Sequence, residues 1–156
     1  MRISIFVFGK TDSSYINEGI SDFIKRTSYF CPIEFEYFTE PKNHGKLEPT
    51  EQMLNEAELF LKKIYPDDFV VLLDEKGKTF TSAGFAKQLE QWMNSGKKRI
   101  VFIIGGAYGI HPTLKQKYAS VSLSDMTFNH QLVRLVFAEQ IYRAFTIIKG
   151  LPYHND

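Results

Sequence analysis

The chain has 156 residues, of which 44% are hydrophobic, so it can bury one good core and does not have the composition of a disordered protein. The 19 basic and 18 acidic side chains give a formal net charge of +1, so a nucleic-acid partner would have to be held by a local basic patch. A single cysteine, Cys31, excludes an internal disulfide and a cysteine-rich zinc site. Because the sequence shows no signal peptide or membrane-spanning run, we expect one soluble, cytoplasmic domain over residues 1–156.

Short apolar runs alternate with longer helical patterns along the chain, which is typical of parallel βαβ units. The expected strands cover residues 3–8, 33–38, 69–74, 100–104 and 120–123. The expected helices cover residues 14–28, 49–64, 82–95, a short segment after Pro112, and about 130–149. The sequence therefore predicts an α/β fold, with a parallel sheet and helices on both of its faces.

Two of these strands, "FVVLL" and "IVFII", are apolar at every position, so we place them in the middle of the sheet. Ligands of such sheets bind outside the carboxyl ends of the strands, where the loops emerge. Three loops are therefore candidates for a site: "DEKGKT" after Leu73, "GGAYG" after Ile104 and "SDMTFNH" after Leu123.

Glycine-rich motifs in these loops do not match phosphate-binding signatures. "GKT" at residues 77–79 lacks the earlier glycine of a phosphate loop, because Leu72 stands there, and Gly77 indicates a turn. "GGAYG" lacks the spacing of a dinucleotide fingerprint. Its paired glycines suit a ligand that is recognised by main-chain groups, and a simple turn stays open as the alternative. The basic segment 40–49, with Lys42, His44 and Lys46, is interpreted as a solvated connection rather than a polyanion site.

The last helix, "HQLVRLVFAEQIYRAFTIIK", carries apolar residues on nearly all sides, so we expect a homodimer with this helix in the interface. Glu139 and Arg143 form an i,i+4 pair that we interpret as a structural ion pair. His130 and Arg134 share a face beside the third loop, where a functional and a structural role both stay open. In the terminal segment, Tyr153 and His154 could stack on a base or handle a proton. No histidine pair has metal-ligand spacing, so no metal is expected.

In this order and over this length, "LLDEKGK", "IGGAYGI", "SLSDMTFNHQLVRLVFAEQIYRAF" and the terminal "PYH" resemble the RlmH family of large-subunit ribosomal RNA pseudouridine methyltransferases. This family belongs to the SPOUT superfamily. The resemblance implies an α/β fold with a deep C-terminal trefoil knot, a homodimer, and S-adenosylmethionine as cofactor. It also implies methylation of a pseudouridine at N3 in 23S rRNA, on the assembled ribosome.

The resemblance also implies site residues. The cofactor pocket would comprise residues at the ends of three strands, namely Leu73, Gly105, Leu123, Ser124, Asp125, Met126, Thr127 and Phe128. The apolar side chains would enclose adenine, and backbone groups would read its edge.

Five further residues are expected to position the target base or its backbone: His130, Arg134, Arg143, Tyr153 and His154. Among them Arg134 is expected to contact RNA, as is Tyr108, and His154 or Tyr153 would handle the N3 proton. Lys97, Lys98 and Arg99 would supply further basic charge across the dimer.

The chain departs from the common family pattern at Tyr108, Asn129 and Asn155, three positions near the expected substrate contacts. Two other functions stay open at this point. One is an inactive RNA- or ribosome-binding module with the same fold, and the other is an NAD-dependent oxidoreductase that uses "GGAYG".

Overall fold

The computed structural model describes residues 1–155. Five strands are formed, which are β1 (Arg2–Phe8), β2 (Ile33–Phe38), β3 (Asp68–Thr79), β4 (Arg99–Ile104) and β5 (Ala119–Ser122). Five α-helices connect or follow them, which are α1 (Ser14–Thr27), α2 (Pro49–Leu61), α3 (Ser82–Met93), α4 (Pro112–Lys117) and α5 (Leu132–Ile148), and a 3₁₀ turn covers His44–Lys46. Every expected strand and helix is present, with ends that differ by a few residues.

The strands form one parallel sheet in the order β2-β1-β4-β3-β5. The strands "FVVLL" and "IVFII" both lie inside this sheet, as their continuous apolar pattern predicts, and β4 is its central strand. Strands β4 and β5 are consecutive in the sequence, but β3 lies between them in the sheet.

Helices cover both faces of the sheet, which confirms the predicted layering. Alternate strand residues point to opposite faces: Ile5 and Phe102 pack on one side with α3 and α5, and Phe6 and Val101 pack on the other with α2 and α4. Both faces of the sheet are buried in apolar layers, and the loops at the carboxyl ends of the strands extend from this core.

Strand β3 runs further than the sequence predicts. The expected loop after Leu73 is instead a second half of β3, in which Lys78 pairs with Val121 after an irregularity between Leu73 and Lys78. Gly77 is not a turn residue: a Cβ there would lie 2.7 Å from backbone atoms of Ser120 and Val121. The glycine is required because the β3 and β5 backbones approach closely at that point.

Helix α5 packs between α1, α3 and the sheet of its own chain. Its crossing with α1 is close, since a Cβ at Gly19 would lie 2.6 Å from Leu135 Cδ1. The apolar residues on several sides of α5 are thus covered in large part within one chain. Their pattern does not by itself require a second subunit.

A buried ion pair joins β3 and β4 at their amino ends. Arg99 is 6% exposed, and its Nη2 donates to Asp68 Oδ2 at 2.6 Å and to the Lys63 carbonyl at 2.8 Å. Arg99 is therefore not available to a basic RNA-binding patch, and that part of the expectation is wrong. Among residues 1–155, no helix is both long and apolar enough to cross a bilayer.

Candidate active site

An open cavity of about 380 Å³ lies at the carboxyl ends of β4 and β5 and beside the irregularity in β3 after Leu73. Residues from all three predicted loops line it. Seven of the eight predicted cofactor residues take part, which are Leu73, Gly105, Leu123, Ser124, Met126, Thr127 and Phe128, and Tyr108 and His130 also line it. Of the predicted cofactor residues only the exposed Asp125 is outside the lining. The fold thus brings together residues that lie up to 57 positions apart in the chain.

The glycine loop forms the wall that follows β4. Gly106 and Gly109 pair across it, with the Gly109 N–H donating to the Gly106 carbonyl at 3.1 Å, and Gly109 has a φ of +87°. A Cβ at Gly105 would lie 2.6 Å from the Gly109 carbonyl carbon and oxygen. The space that Gly105 leaves is therefore filled by the loop itself and not by open cavity. Tyr108 lies at the exposed tip.

The loop after β5 is organised by side chains that bond to its own backbone. Ser124 Oγ accepts from the Met126 N–H at 3.0 Å, and Asn129 Oδ1 accepts from the N–H groups of Gln131 and Leu132 at 2.8 and 3.3 Å. Asn129, one of the departures from the family pattern, thus satisfies free donors at the start of α5. Met126 is 77% exposed, so it forms the outer rim of the cavity and not its floor.

Two polar contacts tie the cavity walls together, and neither was predicted. Lys115 Nζ lies 2.9 Å from Asp74 Oδ2, which joins α4 to the end of the first half of β3. Thr127 Oγ1 donates to Glu75 Oε2 at 2.7 Å, which joins the loop after β5 to β3. "DEKGKT" did single out Asp74 and Glu75 as neighbours of a site, but their partners lie too far away in the sequence for spacing to indicate them.

Arg134 is buried, with 1% exposure, and does not face RNA. Its Nη2 donates to the Phe8 carbonyl at 2.7 Å, and its Nη1 donates to the Gly9 carbonyl at 3.0 Å and to Thr11 Oγ1 at 2.9 Å. Burial lowers the pKa of this guanidinium, and the three oxygens compensate for its lost hydration. Arg134 holds the carboxyl end of β1 against α5, so the expected RNA contact is replaced by a structural role.

A second group of predicted residues meets at the other end of α5, and we call Glu139, Arg143, Tyr153 and His154 the Glu139 cluster. Glu139 Oε1 accepts from Arg143 Nη2 at 2.6 Å, from Arg143 Nε at 3.1 Å and from the Tyr153 hydroxyl at 3.0 Å. Arg143 Nη1 lies 3.1 Å from His154 Nδ1. The expected i,i+4 ion pair between Glu139 and Arg143 is therefore formed, and the same carboxylate also holds Tyr153 of the terminal segment.

The chemistry of Tyr153 follows from this environment. Burial raises the pKa of Tyr153, and the hydrogen bond that its hydroxyl donates to Glu139 raises it further. The Tyr153 ring also lies beneath Arg143, with 4.8 Å between the guanidinium carbon and the ring centroid. Tyr153 is therefore a neutral hydrogen-bond donor at physiological pH and not a ready proton acceptor.

The Glu139 cluster and the cavity are separate within one chain. Val133 lines the cavity, and Arg143 lies ten residues further along the same helix, or about 15 Å along its axis. Of the predicted base-positioning residues, only His130 lines the cavity. The structure thus divides these residues between two places.

The cavity has the size and lining of a small-molecule site. Its volume is in the range of small-molecule sites, and its walls combine apolar side chains such as Leu73 and Ile104 with glycine backbone. The part of the chain that the structure describes contains no cluster of His, Cys, Asp and Glu that could hold a metal ion. Arg134, beside the carboxyl end of β1, is already bonded to protein oxygens.

A family model described as "Predicted SPOUT methyltransferase" matches residues 1–154. The chain belongs to the SPOUT methyltransferase family. It is 47% identical to a protein of Flavobacterium psychrophilum, 45% identical to one of Parabacteroides distasonis and 46% identical to one of Flavobacterium johnsoniae, each over 100% of both chains. All three relatives are named ribosomal RNA large subunit methyltransferase H.

Membership of a methyltransferase family implies that the chain binds a methyl donor. A methyltransferase needs a site for a methyl donor, and the three-loop cavity of about 380 Å³ is a site of suitable size.

Proposed function

We propose that the protein transfers a methyl group from S-adenosylmethionine to N3 of a pseudouridine in 23S rRNA, within the large subunit of the assembled ribosome in the cytoplasm. The observation that carries the proposal is the convergence of three strand-end loops on one cavity of about 380 Å³. Full-length similarity to relatives named ribosomal RNA large subunit methyltransferase H supports the choice of substrate class. An inactive binding module is not favoured, because the cavity is open and its glycine loop is fully formed.

In this proposal the adenosine part of the cofactor is held by apolar side chains and main-chain groups of the cavity. Leu73 and Phe128 would contact the base, while the glycine loop and the backbone of residues 123–127 would supply hydrogen bonds. The cofactor supplies an electrophilic methyl group on sulfur. The protein's task is then to align the target nitrogen with that carbon and to exclude water.

We further propose that the protein acts as a homodimer. If Arg143, Tyr153 and His154 act on the base whose methyl donor lies in the cavity, about 15 Å is too far for one chain to provide both. A second copy that places its Glu139 cluster beside the first copy's cavity would remove that gap. The trefoil knot implied by the family resemblance is part of the proposal, and the pairing of β5 with β3 across the chain order is compatible with it.

Charge stabilisation, proton acceptance and RNA contact are assigned to different residues. Arg143 would stabilise RNA phosphate or the imide anion that forms when N3 loses its proton. His130, which lines the cavity, and His154 are the candidates to receive that proton, since Tyr153 stays neutral with its raised pKa. Tyr108, exposed at the tip of the glycine loop, would contact the RNA beside the target base.

Calorimetric titration tests the cofactor assignment. The protein should bind S-adenosylmethionine and its demethylated product S-adenosylhomocysteine, and it should not bind NAD. Binding of NAD alone would contradict the proposal and favour an oxidoreductase. Absence of binding to all three would favour the inactive module.

Methyl incorporation tests the substrate. Radioactive methyl transfer should be compared on whole ribosomes, free large subunits and naked rRNA, each with and without the pseudouridine. We expect transfer to whole ribosomes that depends on pseudouridine. Equal labelling of RNA that lacks pseudouridine would refute the target assignment.

A further inference from the structure

A buried acidic side chain, outside every predicted site, contacts the glycine loop from behind. Glu56 on α2 is 6% exposed, and its Oε2 accepts from the Gly106 N–H at 3.3 Å. Its other oxygen, Oε1, lies 3.1 Å from His44 Nε2, and His44 is 5% exposed. One carboxylate therefore joins the 3₁₀ turn at His44–Lys46 to the wall of the cavity.

This arrangement corrects the sequence interpretation of the basic segment. His44 is not a solvated loop residue, because its ring packs 4.8 Å from the ring of Phe8 and its Nδ1 is buried with no hydrogen-bond partner among the described residues. A buried Nδ1 without a partner is less costly as a lone pair than as an N–H. The favoured tautomer thus carries its proton on Nε2 and donates it to Glu56.

The loop is shaped to receive this carboxylate. A Cβ at Gly106 would lie 2.5 Å from Glu56 Oε1, so the loop can approach the carboxylate only because residue 106 is glycine. Burial raises the pKa of Glu56, while the hydrogen bonds from His44 and Gly106 oppose that shift. A carboxylate with so little water around it depends on those two donors.

We infer that Glu56, held by His44, is a positioning residue that fixes the glycine loop in the conformation that receives the cofactor. The inference rests on the proposed function, since it assigns the cavity to S-adenosylmethionine. Gly106 lines that cavity, and its N–H is turned away from the ligand side by its bond to Glu56. The Gly106 carbonyl in turn accepts from the Gly109 N–H, so the bond between Glu56 and Gly106 also restrains the tip of the loop.

The first variant removes the Glu56 carboxylate that accepts from Gly106. It replaces His44 as well, so that neither polar group is left buried without its partner. In His44→Phe/Glu56→Met the buried pair is replaced by apolar side chains of similar size, which proteins often tolerate. We expect its affinity for S-adenosylhomocysteine to fall on the order of tenfold, while kcat at saturating cofactor stays within about twofold of the parent. Hydrogen exchange at the Gly106 amide should quicken on the order of tenfold.

Two variants keep the test decisive. Glu56→Gln keeps one carbonyl oxygen for the Gly106 N–H but turns its NH₂ group toward the His44 Nε2–H, so it should restore only part of the affinity that the double variant loses. Gly106→Ala disturbs the same contact from the side of the loop, because its Cβ would lie 2.5 Å from Glu56 Oε1, so it should weaken binding even if the double variant does not fold. Glu58→Gln, exposed on the same helix, is the matched control.

The outcomes separate the two proposals. If the parent protein binds S-adenosylhomocysteine and both the double variant and Gly106→Ala bind it equally well, the positioning role of Glu56 is refuted and the proposed function stands. If the parent protein does not bind it, the cofactor assignment fails. A fall in kcat with unchanged affinity would also refute positioning of the cofactor loop.

Discussion

The cavity at the carboxyl edge of the sheet and the Glu139 cluster at the far end of α5 are built from different kinds of groups. Glycine backbone and apolar side chains make up most of the cavity, whereas the cluster consists of a carboxylate, a guanidinium, a phenol and an imidazole. A ligand in the cavity is selected by shape and main-chain hydrogen bonds. A ligand at the cluster is selected by charge. The two regions should therefore respond to substitution in different measurements.

Gly105→Val should produce the largest effect. A Cβ at this position would lie 2.6 Å from the Gly109 backbone, so valine must open the glycine loop. Cofactor affinity should fall by at least about a hundredfold in calorimetry. Gly45→Ala is the control, because a Cβ there meets nothing within 4 Å. Parent-like affinity of Gly105→Val would remove this loop from the cofactor site.

Arg134→Met should affect stability and not recognition. The substitution leaves the carbonyls of Phe8 and Gly9 and the hydroxyl of Thr11 without their donor, at a cost of about 3 kcal/mol in the free energy of unfolding. Urea denaturation measures this loss in the free energy of unfolding. If the variant were as stable as the parent but bound RNA more weakly, the arginine would be an RNA contact after all.

Arg143→Gln should separate the two regions most clearly. Loss of the guanidinium at the Glu139 cluster should lower kcat for ribosome methylation by about a hundredfold, as for other charge-stabilising donors. Cofactor affinity should not change, because Arg143 does not line the cavity. The control is Arg26→Gln, whose side chain is half exposed and paired with Asp22. A matching loss of cofactor affinity in Arg143→Gln would show that the regions are not independent.

Tyr153→Phe should have the smallest effect. The ring stays beneath Arg143, and only the hydrogen bond to Glu139 is lost, so kcat should fall by about fivefold. Because the pKa of Tyr153 is raised above its ordinary value of about 10, the neutral phenol persists throughout the neutral range. The stabilisation from its hydrogen bond is complete below pH 10 and is lost as pH rises through the raised pKa.

Two measurements test the predicted neutral state of Tyr153. The ratio of parent to Tyr153→Phe activity should be constant from about pH 6 to 9, since the phenol does not titrate there. The difference in unfolding free energy between the two proteins should shrink only at higher pH. A ratio that changed with pH near neutrality would make Tyr153 a proton acceptor.

The sequence was sufficient to predict the cavity because strand direction determines it. In a parallel sheet all carboxyl ends meet at one edge, so Leu73, Gly105 and Leu123 had to lie near one another once their strands were recognised. The N-cap of α4 is also a local interaction, with His111 Nδ1 accepting from the Thr113 N–H at 3.2 Å.

Long-range partners could not be predicted in the same way. Arg134 reaches oxygens more than 120 residues earlier in the chain, and no periodicity in α5 distinguishes a buried guanidinium from an exposed one. Glu56 has the spacing of an ordinary residue on an amphipathic helix, and its role depends on a loop 50 residues away. Gly77 was misread because backbone proximity between β3 and β5 leaves no local signature.

The balance of charge within the Glu139 cluster has a consequence for how binding depends on salt. Glu139 neutralises Arg143 through hydrogen bonds of 3.1 and 2.6 Å, so the cluster would neutralise few RNA phosphates and displace few of the counterions condensed on the RNA. With a formal net charge of only +1, the whole chain adds little to that release. The contribution of this cluster to recognition should therefore persist at ionic strengths that weaken ordinary basic RNA-binding surfaces.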